Sequence, residues 1–529
     1  MKILVSDSLE QSCIDILQHE GFSVDNRPGL PAKELMECIG DYDGLVVRSS
    51  TKVTADVIGR AHAMKVIGRA GTGVDNIDAQ AATRRGILVM NTPGGNTISA
   101  AEHAVSMMLA LARNIPQAHA SLMRGEWERK KFIGIEVFEK TLGVVGLGKI
   151  GREVASRAQG LGMKVIGYDP VMTADAALKL GIEPVGLDEL YRRSDVITFH
   201  TPLTAETKYL MNDDTLARCK RGVRIVNCAR GGIIDEQALL RALESGRVGG
   251  AALDVFEKEP PKESPLLAHP RVIATPHLGA STEEAQEKVA IQIAHQIADA
   301  LHGRAYTGVV NGAVLAQTMN EELRPYIHLA EKLGSIAAQL SGGKVRNLTL
   351  SVRGDVVSSS AELFKACVQK GVLAHTLGEP VNFISAPFLA QEMGLTVNDK
   401  RDAEVGDYAN LLRLKFASES GQREIAGTVF GRSTVRLVML DGFRFEVRPE
   451  GLLLIYTNQD RPGMLAKVGS ILARHNVNIA GVSLGRAGIG ETALTVMNID
   501  NEVPATALQE LLNAEGVSNL RTIRLDTTP

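Results

Sequence analysis

The sequence predicts an α/β protein, with doubly wound parallel sheets in its first three hundred residues and smaller α+β modules behind them. Three patterns carry this prediction. Short apolar strands alternate with helical runs, one strand passes into a helix through a glycine turn, and the last segment reads strand, helix, strand, strand, helix, strand. Alternation of this kind marks parallel sheets, because each parallel return needs a connection long enough to cross the sheet.

The first layer has strands at Ile3 to Val5, Gly44 to Val47, Lys65 to Ile67 and Ile87 to Met90. A helix-forming stretch, Ser99 to Arg113, leads into a second series. Its strands are Gly143 to Val145, Lys164 to Tyr168, Val196 to Phe199, Arg224 to Asn227, Ala251 to Asp254 and Val272 to Thr275. Six strands with intervening helices make one doubly wound nucleotide-binding sheet. The helical segment Thr282 to Leu301 has no sheet of its own to join, so it is expected to return to the first layer and leave a cleft at the two crossings. The expected division is a discontinuous flavodoxin-like domain of 1–98 plus 284–312, an inserted domain of 99–283, an intervening segment of 313–451 and a last module of 452–529. The intervening segment mixes a helix near Leu323 to Leu340 with strands such as Asn347 to Val352 and Val435 to Leu440, and carries no catalytic motif. Leu452 to Leu525 has the β-α-β-β-α-β order of a ferredoxin-like sandwich.

Between Thr141 and Pro170 the chain reads T-L-G-V-V-G-L-G-K-I-G-R, then a helical run, then M-K-V-I-G-Y-D-P. Gly146 allows the tight turn, Gly148 lets the backbone approach a pyrophosphate, and Gly151 lets the helix pack close to the strand. Asp169 ends the second strand 18 residues after Gly151, where a carboxylate accepts hydrogen bonds from ribose hydroxyls and repels a 2′-phosphate. The implied cofactor is NAD rather than NADP, and the implied chemistry is redox.

Composition narrows the class further. Lys plus Arg (58) nearly balances Asp plus Glu (61), so no global field favours nucleic acid or an anionic membrane. The N-terminal M-K-I-L-V-S-D turns polar too early for a signal peptide, and no apolar run approaches the roughly 20 residues that span a bilayer. Five cysteines without paired spacing fit reduced thiols better than disulfides or a zinc site, so no metal centre is expected and the cytoplasm is the default setting.

Oxidising a 2-hydroxy acid requires a base for the hydroxyl proton, a cation for the carboxylate, and a nicotinamide facing the carbinol hydrogen. Arg230, in V-N-C-A-R-G-G, lies just past a strand's C-terminal end, where doubly wound sheets bind ligands, and its fork can clamp a carboxylate. His277, in A-T-P-H-L-G-A, follows another strand end and suits proton exchange near neutrality. Glu259, in D-V-F-E-K-E-P-P, can accept the other imidazole N–H and sustain the imidazolium. Singly, such residues are more often a surface ion pair, a loop histidine and a solvated turn. Their joint placement beyond strands of one sheet favours chemistry. A substrate with further negative charge needs more cations, and Arg48 and Arg69, with Lys52 nearby, follow strands of the first layer.

The motifs G-x-G-x-x-G, N-C-A-R-G-G, A-L-D-V-F-E-K-E-P and P-H-L-G-A-S-T resemble, in this order, the signatures of the D-isomer-specific 2-hydroxyacid dehydrogenases. The runs V-V-R-S-S-T-K-V-T and G-R-A-G-T-G-V-D-N-I-D, with the long C-terminal extension, are similar to the branch that oxidises 3-phosphoglycerate. The resemblance covers essentially the whole chain. It implies Arg230, Glu259 and His277 as catalytic residues and NAD as cofactor. It places nicotinamide contacts at Thr72, Thr201, Asp254 and Gly279, pyrophosphate contacts at Lys149 and Ile150, and substrate contacts at Arg48, Arg69 and Asn96. Cys228 and Ala229, in the loop before Arg230, fall with the cofactor contacts, Cys228 also reading as a small packed residue. The basic run Trp127 to Lys131 matches a region that reaches the neighbouring subunit's active site, which implies a phosphate contact for Arg129 across a dimer interface and a homotetrameric assembly.

L-L-L-I-Y-T-N-Q-D-R-P-G-M-L resembles the opening of an ACT domain, a regulatory amino-acid-binding module. By motif position Asn458, Asp460 and Asn478 would face an effector, with L-serine the natural candidate. The alternative is a module that only joins subunits. Two other functions remain open from sequence: a sister dehydrogenase acting on glyoxylate, hydroxypyruvate or 2-oxoglutarate, and a binding protein that reports NAD state.

Overall fold

The computed structural model describes residues 1–341, 345–377, 381–401, 407–418 and 421–526. The first layer is a parallel sheet of five strands, Lys2–Val5, Ser23–Asn26, Gly44–Val47, Val66–Arg69 and Leu88–Asn91, in spatial order 2-1-3-4-5. This is the flavodoxin-like order. Ser23–Asn26 adds an edge strand that the apolar pattern does not reveal, since S-V-D-N has a single apolar residue and no buried one.

The helix Glu283–His302 returns to this sheet. Thr282 caps it by accepting from the Ala285 amide at 3.2 Å, and Gly303 ends it at φ +68°. Its buried face, Val289, Ile293 and Ile297, packs with Ile3, Val5, Val66 and Met90. Gly68 makes this seating possible, because a Cβ there would collide with Ile293 and Ile297. Each buried isoleucine contributes about 1.5–3 kcal/mol, enough to hold the helix to a sheet more than 190 residues upstream of it.

The second sheet has seven strands, one more than the sequence shows. In chain order they are Thr141–Val145, Lys164–Tyr168, Glu183–Pro184, Val196–Phe199, Val223–Asn227, Val248–Leu253 and Val272–Ala274, arranged 3-2-1-4-5-6-7. Glu183–Pro184 is a two-residue edge strand, too short to leave a periodic signal and ended by a proline that cannot donate to a ladder. The helix Thr97–Ala112 connects the layers and packs Ala101, Ala104 and Met108 against Val144, Val226 and Ala252 of this sheet.

The intervening segment pairs the helices Arg324–Ser341 and Ala361–Leu377 with a six-stranded sheet, and the last module is a four-stranded antiparallel sheet of order 2-3-1-4 with helices Met464–Arg474 and Ala505–Leu512. One face of that last sheet, Leu453, Ile455, Leu494, Val496, Ile523 and Leu525, is part of the same core as Leu329, Leu333 and Ile336 of the helix Arg324–Ser341. The opposite face packs under its own two helices. No helix among the described residues is long and apolar enough to cross a membrane.

Candidate active site

The glycine turn assigns a separate task to each glycine. Gly146 adopts φ +92°, and a Cβ there would lie 2.7 Å from the His200 carbonyl oxygen. Gly151 packs its helix onto the turn so tightly that a Cβ would overlap the Gly146 carbonyl oxygen. Gly148 caps the helix Lys149–Gly160 and has open space where a Cβ would point, which leaves the first-turn amides of Lys149 and Ile150 accessible to an anion. Lys149 Nζ lies 3.4 Å from the Pro93 carbonyl oxygen, at the crossing between the layers.

Asp169 binds this turn as well as facing it. Its carboxylate accepts from the amides of Leu147 (2.8 Å), Val171 (2.8 Å) and Met172 (3.0 Å). Burial raises its pKa, but these three donors outweigh it and hold the group below the usual aspartate range, so it stays ionised. An ionised carboxylate at this strand end can accept from ribose hydroxyls and repels a 2′-phosphate. Against Gly146, the buried Thr201 hydroxyl oxygen has no hydrogen-bond partner among the described residues.

Arg230 is fixed by the loop that carries it. Buried Asn227 donates to the Arg230 carbonyl oxygen at 2.9 Å and accepts from the Ala229 amide at 3.0 Å, closing a tight turn at the strand end. The guanidinium donates through Nη1 to the Ala229 carbonyl oxygen at 2.7 Å and through Nε to Asp75 of the first layer at 2.9 Å. This ion pair spans the cleft.

The proton-transfer pair is assembled by two loops. His277 Nδ1 and Glu259 Oε2 are 2.9 Å apart, and Glu259 Oε1 accepts from the Phe256 amide at 3.2 Å. The Glu259 hydrogen bond raises the His277 pKa against the opposing effect of burial. Glu259, whose burial raises its pKa, is nonetheless held below the usual glutamate range by the imidazole. Both shifts favour a carboxylate that accepts the Nδ1 proton, an arrangement in which Nε2 can take up and return a proton. The Glu259 loop is in turn tied to the helix Glu236–Glu244: the Glu257 amide donates to Glu236 at 2.7 Å, and the Glu236 amide donates to Glu257 at 3.1 Å.

Asp254 lies directly beneath His277 and is fully buried. It accepts from the Thr275 hydroxyl and from the amides of Leu278 and Gly279. His103 adds a contact at 3.2 Å, and burial, which raises the Asp254 pKa, is outweighed by these donors. Together with Cys228 these two residues form the one trio of potential metal-ligating groups among the described residues. The Cys228 thiol is pushed far up by burial and by Asp254, and the Asp254 oxygens are already taken by amides and a hydroxyl, so the trio reads as a hydrogen-bonded floor.

Across the cleft, Arg48 donates to Gln286 at 3.3 Å, and Arg69 Nε donates to Asn76 at 2.9 Å. Asn76 also donates to the carbonyl oxygens of Arg48 and Thr51, each at 2.7 Å, so a single side chain sets both arginines. Burial, and after it the charge of Arg230, push the Arg69 guanidinium down to about 10. Three cations therefore face one space, with the Asp75 carboxylate paired to one of them, Arg230. Asn96 accepts from the Thr72 hydroxyl at 2.7 Å at the start of the helix Thr97–Ala112, beside this basin.

Other residues singled out in the sequence fall elsewhere. Arg129 is exposed in the short turn Arg129–Phe132, and among the described residues no hydrogen bond or ion pair joins it to Arg48, Arg69 or Arg230. In the last module Asn458 is buried and accepts from the Thr495 hydroxyl at 3.0 Å, while Asp460 contacts Arg486 at 3.5 Å. Asn478 bonds Asp500 at the opposite end of the sheet, six strand residues away or roughly 20 Å. One chain thus brings Asn458 and Asp460 to the same end and leaves Asn478 apart. Sequence reasoning missed Asp75, Asn76, Asn227 and His103. The D-N pair inside G-V-D-N-I-D, in the loop after a strand, and the N of V-N-C-A-R-G-G, at a strand end, were visible as polar residues; His103, on a largely apolar helix, gave no such signal.

Comparison with known proteins agrees with this architecture. The D-isomer specific 2-hydroxyacid dehydrogenase NAD binding domain matches residues 105–279, the D-3-phosphoglycerate dehydrogenase intervening domain matches 322–441, and the ACT domain matches 452–516. The D-3-phosphoglycerate dehydrogenase of Synechocystis is 45% identical over 526 residues, 99% of this chain and 95% of its own. That of Homo sapiens is 45% identical over 95% of this chain and 96% of its own. Among solved structures, the apo form of D-lactate dehydrogenase from Escherichia coli aligns with TM-score 0.53 and 30% identity over 59% of this chain and 100% of that one. With full-length relatives at this identity and all three domain types in order, the chain belongs to the D-3-phosphoglycerate dehydrogenases of the D-isomer specific 2-hydroxyacid dehydrogenase family.

Proposed function

We propose that the chain oxidises 3-phospho-D-glycerate to 3-phosphohydroxypyruvate with NAD, the first step of L-serine synthesis. The observation that carries this reading is the convergence on one cleft of the His277–Glu259 pair, Arg230, and the cationic pair Arg48 and Arg69. When bound, NAD supplies the hydride acceptor. Arg230 clamps the substrate carboxylate and carbinol oxygen, His277 Nε2 takes the hydroxyl proton, and Glu259 stabilises the resulting imidazolium. Arg48 and Arg69, set by Asn76, receive the phosphate, and Asn96 and Thr72 line the same wall.

Steady-state assays test this directly. 3-Phosphoglycerate with NAD should give NADH, driven by hydrazine trapping of the keto product, and D-glycerate should give far less. Equal rates with glycerate would assign the enzyme to an unphosphorylated acid, and no turnover with any 2-hydroxy acid would leave an NAD-binding protein.

Four further assignments belong to this reading. The domains divide at 1–98 plus 284–312, 99–283, 313–451 and 452–529. The chain assembles as a homotetramer. Four exposed apolar side chains within one short stretch of chain, Met123, Trp127, Ile133 and Phe138, with Trp127 77% exposed, support a subunit contact that carries Arg129 toward a neighbour. The ACT module takes L-serine near Asn458 and Asp460, and Asn478 serves a different end of the module within one chain. The five free cysteines support a cytoplasmic setting.

A further inference from the structure

The cleft holds a carboxylate whose surroundings differ from those of Asp254 and Glu259. Asp254 is fully buried and accepts from two amides and a hydroxyl; Glu259 accepts from an amide and an imidazole. Among the described residues the Asp75 side chain makes one hydrogen bond, to Arg230 Nε at 2.9 Å, and it is 67% exposed. A carboxylate held by a single contact in water belongs to the weakest class of ion pair and exchanges readily. It is not the kind of group that orients a catalytic side chain.

Arg230, on the other side, has little room for a second anion while Asp75 stays. Nη1 is committed to the Ala229 carbonyl oxygen at 2.7 Å, and Nη2 sits against Gly73, where even a Cβ would collide with it. A carboxylate that takes the Nε edge side-on meets Asp75 there. We propose that Asp75 is a resident counter-ion of the cleft, occupying Arg230 between turnovers and exchanged for the carboxylate of the incoming 2-hydroxy acid.

The electrostatics supply the reason for such a group. Arg69 and Arg230 repel across the cleft, and Asp75 acts on Arg69 in the opposite sense to Arg230. Asp75 therefore offsets the repulsion while the basin is empty. Once substrate brings its own negative groups, Asp75 becomes a like charge and withdraws toward solvent, where its exposure already places it. The exchange costs the substrate affinity and aids product release, because Asp75 reclaims Arg230 as the product leaves. This inference rests on Arg230 being the carboxylate clamp of the proposed reaction.

Asp75→Asn and Asp75→Ala keep the exposed loop and remove the competing charge. The test measures the KM for 3-phosphoglycerate at saturating NAD and, by calorimetry on the NAD-bound full-length enzyme, the Kd of oxalate as a non-reacting carboxylate probe. Both constants should fall by about two- to fivefold in both variants, the range of an exposed ion pair, while NAD affinity is unchanged. Unchanged or raised constants overturn the proposal and make Asp75 a support for Arg230. The oxalate measurement needs no turnover, so a parent enzyme inactive on 3-phosphoglycerate would refute the assigned substrate and leave the exchange itself still tested.

Discussion

The carboxylate of Asp254 secures the backbone on both sides of His277. It accepts from the Thr275 hydroxyl at 2.6 Å on one side and from the Leu278 and Gly279 amides at 2.7 and 2.9 Å on the other. Between them His277 adopts φ +57°, a left-handed conformation that costs a non-glycine residue about 1–3 kcal/mol and persists only where its neighbours fix it. Asp254→Asn places an amide N–H against these donors and frees the loop. The expected result is a fall in kcat of about ten- to a hundredfold with the fold intact by circular dichroism, since a displacement near 1 Å has that effect on a reacting geometry. An unchanged kcat would mean that the loop holds its own shape.

His277→Ala removes the base and keeps the cofactor turn. Turnover of 3-phosphoglycerate should drop by about two to four orders of magnitude while NAD still binds, as measured by fluorescence titration. A variant that turns over normally takes His277 out of the mechanism.

Oxidation requires neutral imidazole and reduction requires imidazolium. Because the Glu259 hydrogen bond lifts the His277 pKa, kcat/KM for oxidation should rise through a midpoint above the ordinary histidine value, and kcat/KM for the reverse reaction should fall over the same interval. In Glu259→Gln the lifting charge is gone while burial and Arg230 still favour the neutral ring, so both profiles should move to lower pH. Profiles that stay in place would dissociate the pair from catalysis.

Asp169→Ser should weaken NAD in two ways, by losing ribose acceptors and by releasing the Leu147 amide that shapes the turn. The NAD KM is expected to rise by about tenfold or more, with NADP gaining relative to NAD because the repelling charge is gone. Retained preference for NAD over NADP, measured as a ratio of kcat/KM values, would place the selectivity elsewhere.

The glycine turn, the Glu259–His277 pair and Arg230 were legible because each carries a strong residue type at a strand end, and parallel sheets collect strand ends on one edge. The return of the helix Glu283–His302 was legible because twenty amphipathic residues need a sheet to cover. The edge strands Ser23–Asn26 and Glu183–Pro184 were not, since edge strands bury too little to need an apolar pattern. Asp75, Asn76 and Asn227 escaped for another reason. Their roles come from partners 155, 28 and 3 residues away, and only for Asn227 is that partner local. Even there, a hydrogen bond to the Arg230 carbonyl depends on a turn shape that the letters do not state.

The face that the ACT sheet shares with the helix Arg324–Ser341 has an evolutionary corollary. Shortening the chain at residue 450 would strip Leu329, Leu333 and Ile336 of their cover and leave a sticky remnant, whereas removing the intervening segment alone would bare Leu453, Ile455 and Leu494. Neither half makes a good stopping point for a gene. Relatives that dispense with the tail are therefore expected to lack both halves, and a fusion graft of this module onto another dehydrogenase must carry the two together.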